Sequence, residues 1–273
     1  KRPPFNPLIV HVDSIQTAFD FVEVPPIASA LANSFWPGPL TLVLKRANNC
    51  PFPLLLSAGL DSIAIRVPNN SLALNLLSAV GTPIAAPSAN LSGKVSPTKP
   101  EHVIEEWPQE TLNGPQLIID GGNCSIGIES TVVDVTGNQV NILRPGGITS
   151  EELELVAGPL SNTEHNQKLT PIKSPGMLSK HYAPSIPIYL NSLAPGPMGA
   201  YLGFGEDINR SKYNLSRSAD LVEATSNLFA LLRLIDSKNY ASISIAPIPK
   251  VGLGVAINNR LDRAANSNAS LNN

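Results

Sequence analysis

The chain alternates between short apolar runs of strand length and longer stretches whose apolar residues recur at helical spacing. Residues 8–12, 41–45, 62–67, 83–86 and 117–120 read as strands. Residues 131–135 and 140–143 read as a hairpin turning at Gly137 and Asn138. Helices are expected over 13–22, 27–35, 71–80, 98–106 and 149–157. Three of these open on a pair spaced like a capping box: Asp13 with Gln16, Thr98 with Glu101, and Thr149 with Glu152. The helix over 27–35 runs into Trp36-Pro37-Gly38-Pro39, which stops it.

Between 158 and 185 the periodicity lapses into polar residues and prolines. A stretch of about 28 residues is long for a structureless loop inside one domain, so it reads as an inter-domain linker. The pattern then returns, with strands expected over 186–190, 200–204 and 242–246 and helices over 220–236 and 256–265. Leu221, Ala224, Leu228, Leu231 and Leu232 share one side of the first of these helices. Strand and helix in alternation predict a small parallel α/β domain after the linker. The tail over 266–273 is polar and expected to fray. The expected organisation is therefore an α/β protein with a first domain over 1–157, a linker over 158–185 and a second domain over 186–273.

Composition narrows the function classes. With 42% hydrophobic residues among 273, a sizeable core can be buried. Only 15% are charged, and 19 basic against 21 acidic residues give a net charge of −2, which argues against bulk electrostatic binding to nucleic acid. Cys50 and Cys124 stand far apart with no C-x-x-C pair, so neither a zinc site nor a disulfide framework is implied and a reducing, cytoplasmic setting fits. No apolar run reaches the ~18 residues of a membrane span, and the start KRPPFNP is not a signal peptide. Walker, dinucleotide-binding, nucleophile-elbow and H-E-x-x-H motifs are all missing.

The run PIAAPSANLSGKVSPT over 83–98 carries the clearest chemistry. A short apolar strand delivers Ser88 and Asn90 onto a loop of small residues, where hydroxyls, amides and backbone N–H groups together suit a phosphate. The same residues also make ordinary turns. Lys1 and Arg2, on a proline-stiffened segment, could hold a polyphosphate or simply be solvated. His11 ends a strand, and so is either structural or functional. Arg66 closes a strand that is apolar at nearly every position, and must meet either an anion or a structural salt bridge. Arg144 has the same character, and Ser130 and Thr131 present hydroxyls at the start of a strand. Strand ends are where ligands of α/β sheets sit. In the linker, Tyr182 follows Lys180 and His181; its ring could stack on a base, plug a pocket or anchor the linker to a domain surface.

Taken together, KRPPFNPLIVHV, SFWPGPLTLVL, SIAIRVP, PIAAPSANLSGKVSPT, GIESTVVDV, ILRPGGI, PGMLSKHYAP, NLFALLRLID and GLGVAINNRLDRAA resemble, in order, the threonylcarbamoyl-AMP synthase family in its two-domain form. The resemblance implies a YrdC-like twisted mixed sheet with helices, then a linker, then a small Rossmann-like α/β domain. It implies a nucleotidyltransferase that condenses L-threonine, bicarbonate and ATP to threonylcarbamoyl-AMP and pyrophosphate, for later transfer to tRNA by a threonylcarbamoyl transferase complex. It assigns Lys1, Arg2, Asn6, Ser62, Ser88, Ser96, Arg144 and Tyr182 to ATP, and His11, Arg66 and Ser130 to L-threonine. Arg2, Ser88 and Asn90 stand nearest the chemistry. Mg2+ would arrive with ATP rather than in a protein cage, and the linker would close over the active site through Tyr182.

Two departures from the family pattern stand out. Lys1 directly precedes Arg2 where the family has K-x-R, and the family's P-T-E-T-x-Y-G-L segment has no counterpart. An N-terminal part of the first domain is therefore expected to lie outside this chain, which as it stands is expected to be weak or inactive. Two other readings remain at this stage. One is a carbamoyl-transfer enzyme of the same fold, whose zinc-finger cysteines and acylphosphatase segment are not seen. The other is a module binding tRNA or double-stranded RNA through a local basic cleft.

Overall fold

The computed structural model describes residues 7–107, 114–161, 181–206 and 211–268. Its elements, in order, are β1 (Ile9–His11), α1 (Ile15–Phe19), α2 (Pro26–Phe35), β2 (Leu40–Lys45), β3 (Ser62–Arg66), α3 (Ser71–Val80), β4 (Ile84–Ala86), α4 (Pro100–Glu106), β5 (Thr131–Asp134), β6 (Asn141–Arg144) and α5 (Ser150–Ala157). There follow β7 (Ile188–Tyr189), β8 (Ala200–Gly203), β9 (Tyr213–Asn214), α6 (Leu221–Asp236), β10 (Ile243–Ile245) and α7 (Leu253–Asn268).

The chain forms two compact units that are discontinuous in sequence. Among the described residues, one holds 7–87 and 129–161; the other holds 88–107, 114–128, 181–206 and 211–268. The segment 88–128, which the sequence reading puts in the first domain, thus packs with the C-terminal residues. Val95 and Ile128 join Leu228, Phe229 and Ile257 in a single apolar core.

In the first unit a mixed sheet runs in the order β4-β1-β3-β2-β5-β6. β1 pairs parallel with β3 and β2 parallel with β5, while β1/β4, β2/β3 and β5/β6 are antiparallel. β2 is central, and its first five residues are fully buried, which explains why LTLVL is unbroken by polar side chains except Thr41. α2 begins with Pro26 in its first turn, where a missing N–H costs nothing, and buries Ala28, Leu31 and Ala32. α3 is capped by Asn70, whose side chain accepts from Ala73 N, and ends on Gly81 in the left-handed region. α5 has the full capping box of Thr149 and Glu152.

The second unit has a four-stranded, all-parallel sheet in the order β7-β10-β8-β9. α6 starts at Asp220, whose carboxylate accepts from Val222 N and Glu223 N. It buries Ala224, Thr225, Leu228, Phe229, Leu232 and Ile235. Leu221 and Leu231, expected on that stripe, pack against the core only in part.

The structure differs from the sequence expectations at several points. Residues 117–120 form no strand: Leu117 is 76% exposed and Ile119 53%, so two of the three apolar side chains had no partner face to bury against. α1 is capped by Ser14, not Asp13, and stops at Phe19. α4 follows Lys99 without a side-chain cap; Thr98 N instead donates to His102 Nδ1. β9 and a 3₁₀ turn over Leu54–Ser57 were not expected. α7 continues to Asn268, into the stretch expected to fray.

Candidate active site

Strand register decides which candidate residues meet in the first unit. His11, the last residue of β1, lies beside Arg66, the last of β3. β2 runs antiparallel to β3 and parallel to β5, so the starts of β2 and β5 lie at this same end. Ser130 immediately precedes β5, and Arg144 closes β6 opposite Val132. One end of the sheet therefore gathers His11, Arg66, Ser130 and Arg144. Ser62 stands at the other end of β3, about 13 Å along the strand from Arg66. A ligand that touches both has to lie along the strand.

Each of these side chains is held in place. Arg66 Nε donates to Gly38 O at 2.9 Å, at the turn that Pro37 and Pro39 enforce. Arg144, 2% exposed, donates from Nε and Nη2 to Ser130 O at 3.2 and 2.9 Å, and from Nη2 to Ser130 Oγ at 3.1 Å. Its Nη1 meets Glu129 Oε2 at 2.9 Å. Ser130 Oγ also lies 2.7 Å from Thr41 Oγ1. The Gly-Gly after Arg144 has a packing reason: a Cβ on Gly146 would fall 2.3 Å from Thr131 N and 2.4 Å from Glu129 O. Only glycine lets the 144–147 turn lie against the 129–131 backbone.

His11 is kept neutral. Burial, and then the Arg66 guanidinium beside it, lower its pKa from 6.5 to about 4, against weaker opposition from the Ile84 and Ile9 backbone. Its Nδ1 is buried without a hydrogen-bond partner among the described residues. The sign for stability follows by linkage. Above pH 6.5 both folded and unfolded chains carry neutral His11, and the group contributes nothing. As pH falls from 6.5 to 4 the unfolded chain takes a proton that the folded chain refuses, so stability is lost across that window, by about 3 kcal/mol at its foot. Urea melts at pH 7.5 and 4.5 should show His11→Asn losing less stability on acidification than the parent. Equal losses would contradict the assignment.

The second unit carries the Ser88–Ser96 loop. Asn90 Nδ2 donates to Leu91 O at 2.8 Å and to Lys94 O at 3.1 Å, which closes the loop into a tight turn. Gly93 provides the positive φ that the turn needs. Trp107 Nε1 donates to Ala89 O, and Ala183 N to Gly93 O. Two buried polar atoms of this loop, Asn90 Oδ1 and Ser96 Oγ, have no hydrogen-bond partner among the described residues. Buried polar atoms are ordinarily satisfied, which sets these two apart from the rest of the loop.

Of the roles the sequence leaves open for Tyr182, the structure shows the anchor. Its ring is 0% exposed, stacked on Phe229 with centroids 5.4 Å apart, and the Arg260 guanidinium lies 5.2 Å from its centroid. It has positive φ. A ring open to a nucleotide base is not what this conformation presents; Tyr182 anchors its segment in the core of the second unit. Lys1, Arg2 and Asn6, and residues 162–180 of the expected linker, lie outside the described residues. The sequence reading missed Glu129, Thr41 and the Gly38 carbonyl as supports of the site. Glu129 was visible, since an acidic residue beside Ser130 is the natural partner of a buried Arg144.

Comparison with known proteins matches both parts of the chain. A family model described as telomere recombination (Sua5/YciO/YrdC) matches residues 1–146, and one described as threonylcarbamoyl-AMP synthase, C-terminal domain, matches residues 148–266. The chain belongs to the threonylcarbamoyl-AMP synthase family. Threonylcarbamoyl-AMP synthase of Pyrococcus abyssi is 36% identical over 284 residues, covering 97% of this chain and 81% of its own length. That of Bacillus subtilis is 38% identical over 289 residues, covering 97% and 80%. The crystal structure of P. abyssi Sua5 complexed with L-threonine superposes with a TM-score of 0.85 at 36% identity, covering 97% of this chain and 82% of that one. The α/β architecture expected of the family is thus the one observed. Among the described residues no helix is long and apolar enough to cross a membrane.

Proposed function

We propose that this chain is a threonylcarbamoyl-AMP synthase, a nucleotidyltransferase that joins L-threonine, bicarbonate and ATP. The observation that carries the reading is the convergence of His11, Arg66 and Ser130 at one end of the sheet, in a fold shared with a relative whose structure is a complex with L-threonine. Arg66 is the partner for the threonine carboxylate, since a guanidinium takes a carboxylate in a two-pronged, charge-assisted pair. Neutral His11 and the Ser130 hydroxyl offer polar contacts to the amine and side-chain hydroxyl without adding a charge. Arg144 holds Ser130 in place and lends positive charge to the same end.

The chemistry needs positioning more than covalent help. The threonine amine attacks the carbon of bicarbonate, and loss of water leaves a carbamate. A carbamate oxygen then attacks the α-phosphorus of ATP; the bond to the bridging oxygen breaks and pyrophosphate leaves with the electron pair. Ser88, Asn90 and Ser96 belong to the loop read as the phosphate cradle; the buried Ser96 Oγ, with no partner among the described residues, supports that reading because a hydroxyl can donate to a phosphate oxygen, while Asn90 Oδ1 can only accept and suits a ribose hydroxyl. In this proposal Arg2, with Lys1 and Asn6, completes the phosphate contacts, and Ser62 contacts ATP from along β3. Mg2+ travels with the nucleotide. Mg2+ bound through the nucleotide's phosphates would need no dedicated protein cage. The product would pass to a transferase that modifies tRNA, a hand-over that a cytoplasmic setting suits. Pyrophosphate release should require ATP, L-threonine and bicarbonate together. Release without threonine would refute the reading.

A further inference from the structure

The Ser88–Ser96 loop is gripped from two sides by one ion pair. Glu106, in the last turn of α4, accepts from Leu91 N through Oε1 at 3.0 Å. Its other oxygen, Oε2, takes Arg233 Nη2 at 2.7 Å. Arg233, near the end of α6, also donates from Nε to Val95 O at 3.1 Å. One carboxylate and one guanidinium thus hold the backbone at both flanks of the turn that Asn90 closes. Both side chains are largely buried, at 10% and 13% exposure, so water competes weakly for these bonds. Arg233 lies in the stretch matched by the C-terminal family model, whereas the loop and Glu106 lie in the stretch matched by the first.

α6 does not need this pair for its own placement. α6 is already fixed by its apolar face, which buries Ala224, Leu228, Phe229 and Leu232. A buried ion pair adds little stability over apolar packing, because desolvation offsets most of the attraction. What it adds is geometry. Arginine reaches two acceptors from one rigid plane, and both here belong to the loop or to its immediate support.

We infer that Arg233 and Glu106 are positioning residues for the nucleotide: through them the C-terminal half of the chain sets the shape of the phosphate-binding loop. The inference rests on the proposed reading of that loop as the ATP cradle. It also gives the C-terminal half a role beyond packing, since the loop keeps its shape only with α6 in place.

The test uses the whole protein, with Mg2+–ATP and L-threonine binding measured separately by calorimetry. Arg233→Lys keeps the charge but cannot serve Val95 O and Glu106 from one plane; Glu106→Gln keeps the shape and loses the charge. Both should weaken ATP binding about tenfold, leave threonine affinity unchanged, and speed deuterium exchange at the Leu91 amide. Arg233→Lys should exchange faster at Leu91 than the parent even where the melting temperature is unaltered, which a merely stabilising contact would not produce. Unchanged ATP affinity in both folded variants, with Ser96→Ala weakened, would overturn the inference. So would equal losses of ATP and threonine affinity, the mark of general unfolding. If Ser88→Ala and Ser96→Ala leave ATP affinity at the parent value, the cradle reading fails instead. The brace then stands or falls on Leu91 exchange alone, with parent-like exchange in both variants overturning it.

Discussion

Replacing Arg66 with Ala should raise the L-threonine KM at least a hundredfold while leaving ATP affinity within about twofold. A charge-assisted pair to a carboxylate in a partly buried site is worth roughly 2–5 kcal/mol when one partner is removed, and a hundredfold is about 2.7 kcal/mol. Arg66 suits this role because Gly38 O fixes its plane through Nε. Lysine at 66 should recover only part of the loss: a point charge on a flexible stem cannot bond Gly38 O and grip a carboxylate at once. The same change removes one of the two causes that depress His11, so the acid limb of threonine binding should move to higher pH. A threonine KM for Arg66→Ala within twofold of the parent would remove Arg66 from the substrate site.

The second large effect belongs to Arg144. Arg144→Met keeps much of the side-chain volume but removes the charge facing Glu129 and the donors to Ser130. Breaking a buried pair costs about 3–5 kcal/mol, and the partial exposure of Glu129 argues for the lower end. For a unit of this size that is a fall of roughly 6–12 °C in melting temperature. Threonine affinity should fall as well, because Ser130 loses the plane that orients it. A melting temperature within 2 °C of the parent would show that the pair is not holding the 129–131 backbone.

Much of this was legible in the sequence, for identifiable reasons. β2, β3, α2, α3 and α6 stood out because long apolar runs or helical stripes bounded by Pro, Gly, Asn or Asp leave little choice of element. The order of strands in the sheet was not legible, since pairing depends on which buried faces meet. That order is what brings His11 beside Arg66. The distance from Ser62 to Arg66 was legible, since a strand over 62–67 already sets them about 13 Å apart. Residues 117–120 misled because QLIID has strand composition without a face to bury. Tyr182 was undecided rather than misread. A ring in a polar stretch left stacking, plugging and anchoring open, because the partners that decide it, Phe229 and Arg260, lie far along the chain. The grouping of 88–128 with the C-terminal residues had no local signal either, because it is made by Val95 and Ile128 entering a distant core.

The most direct test of the account is the mass of the product formed from ATP, L-threonine and 13C-labelled bicarbonate. The account predicts an adenylate carrying threonine and one labelled carbon, formed in step with pyrophosphate and lost in Arg66→Ala. AMP and pyrophosphate alone, or an adenylate without the labelled carbon, would contradict it.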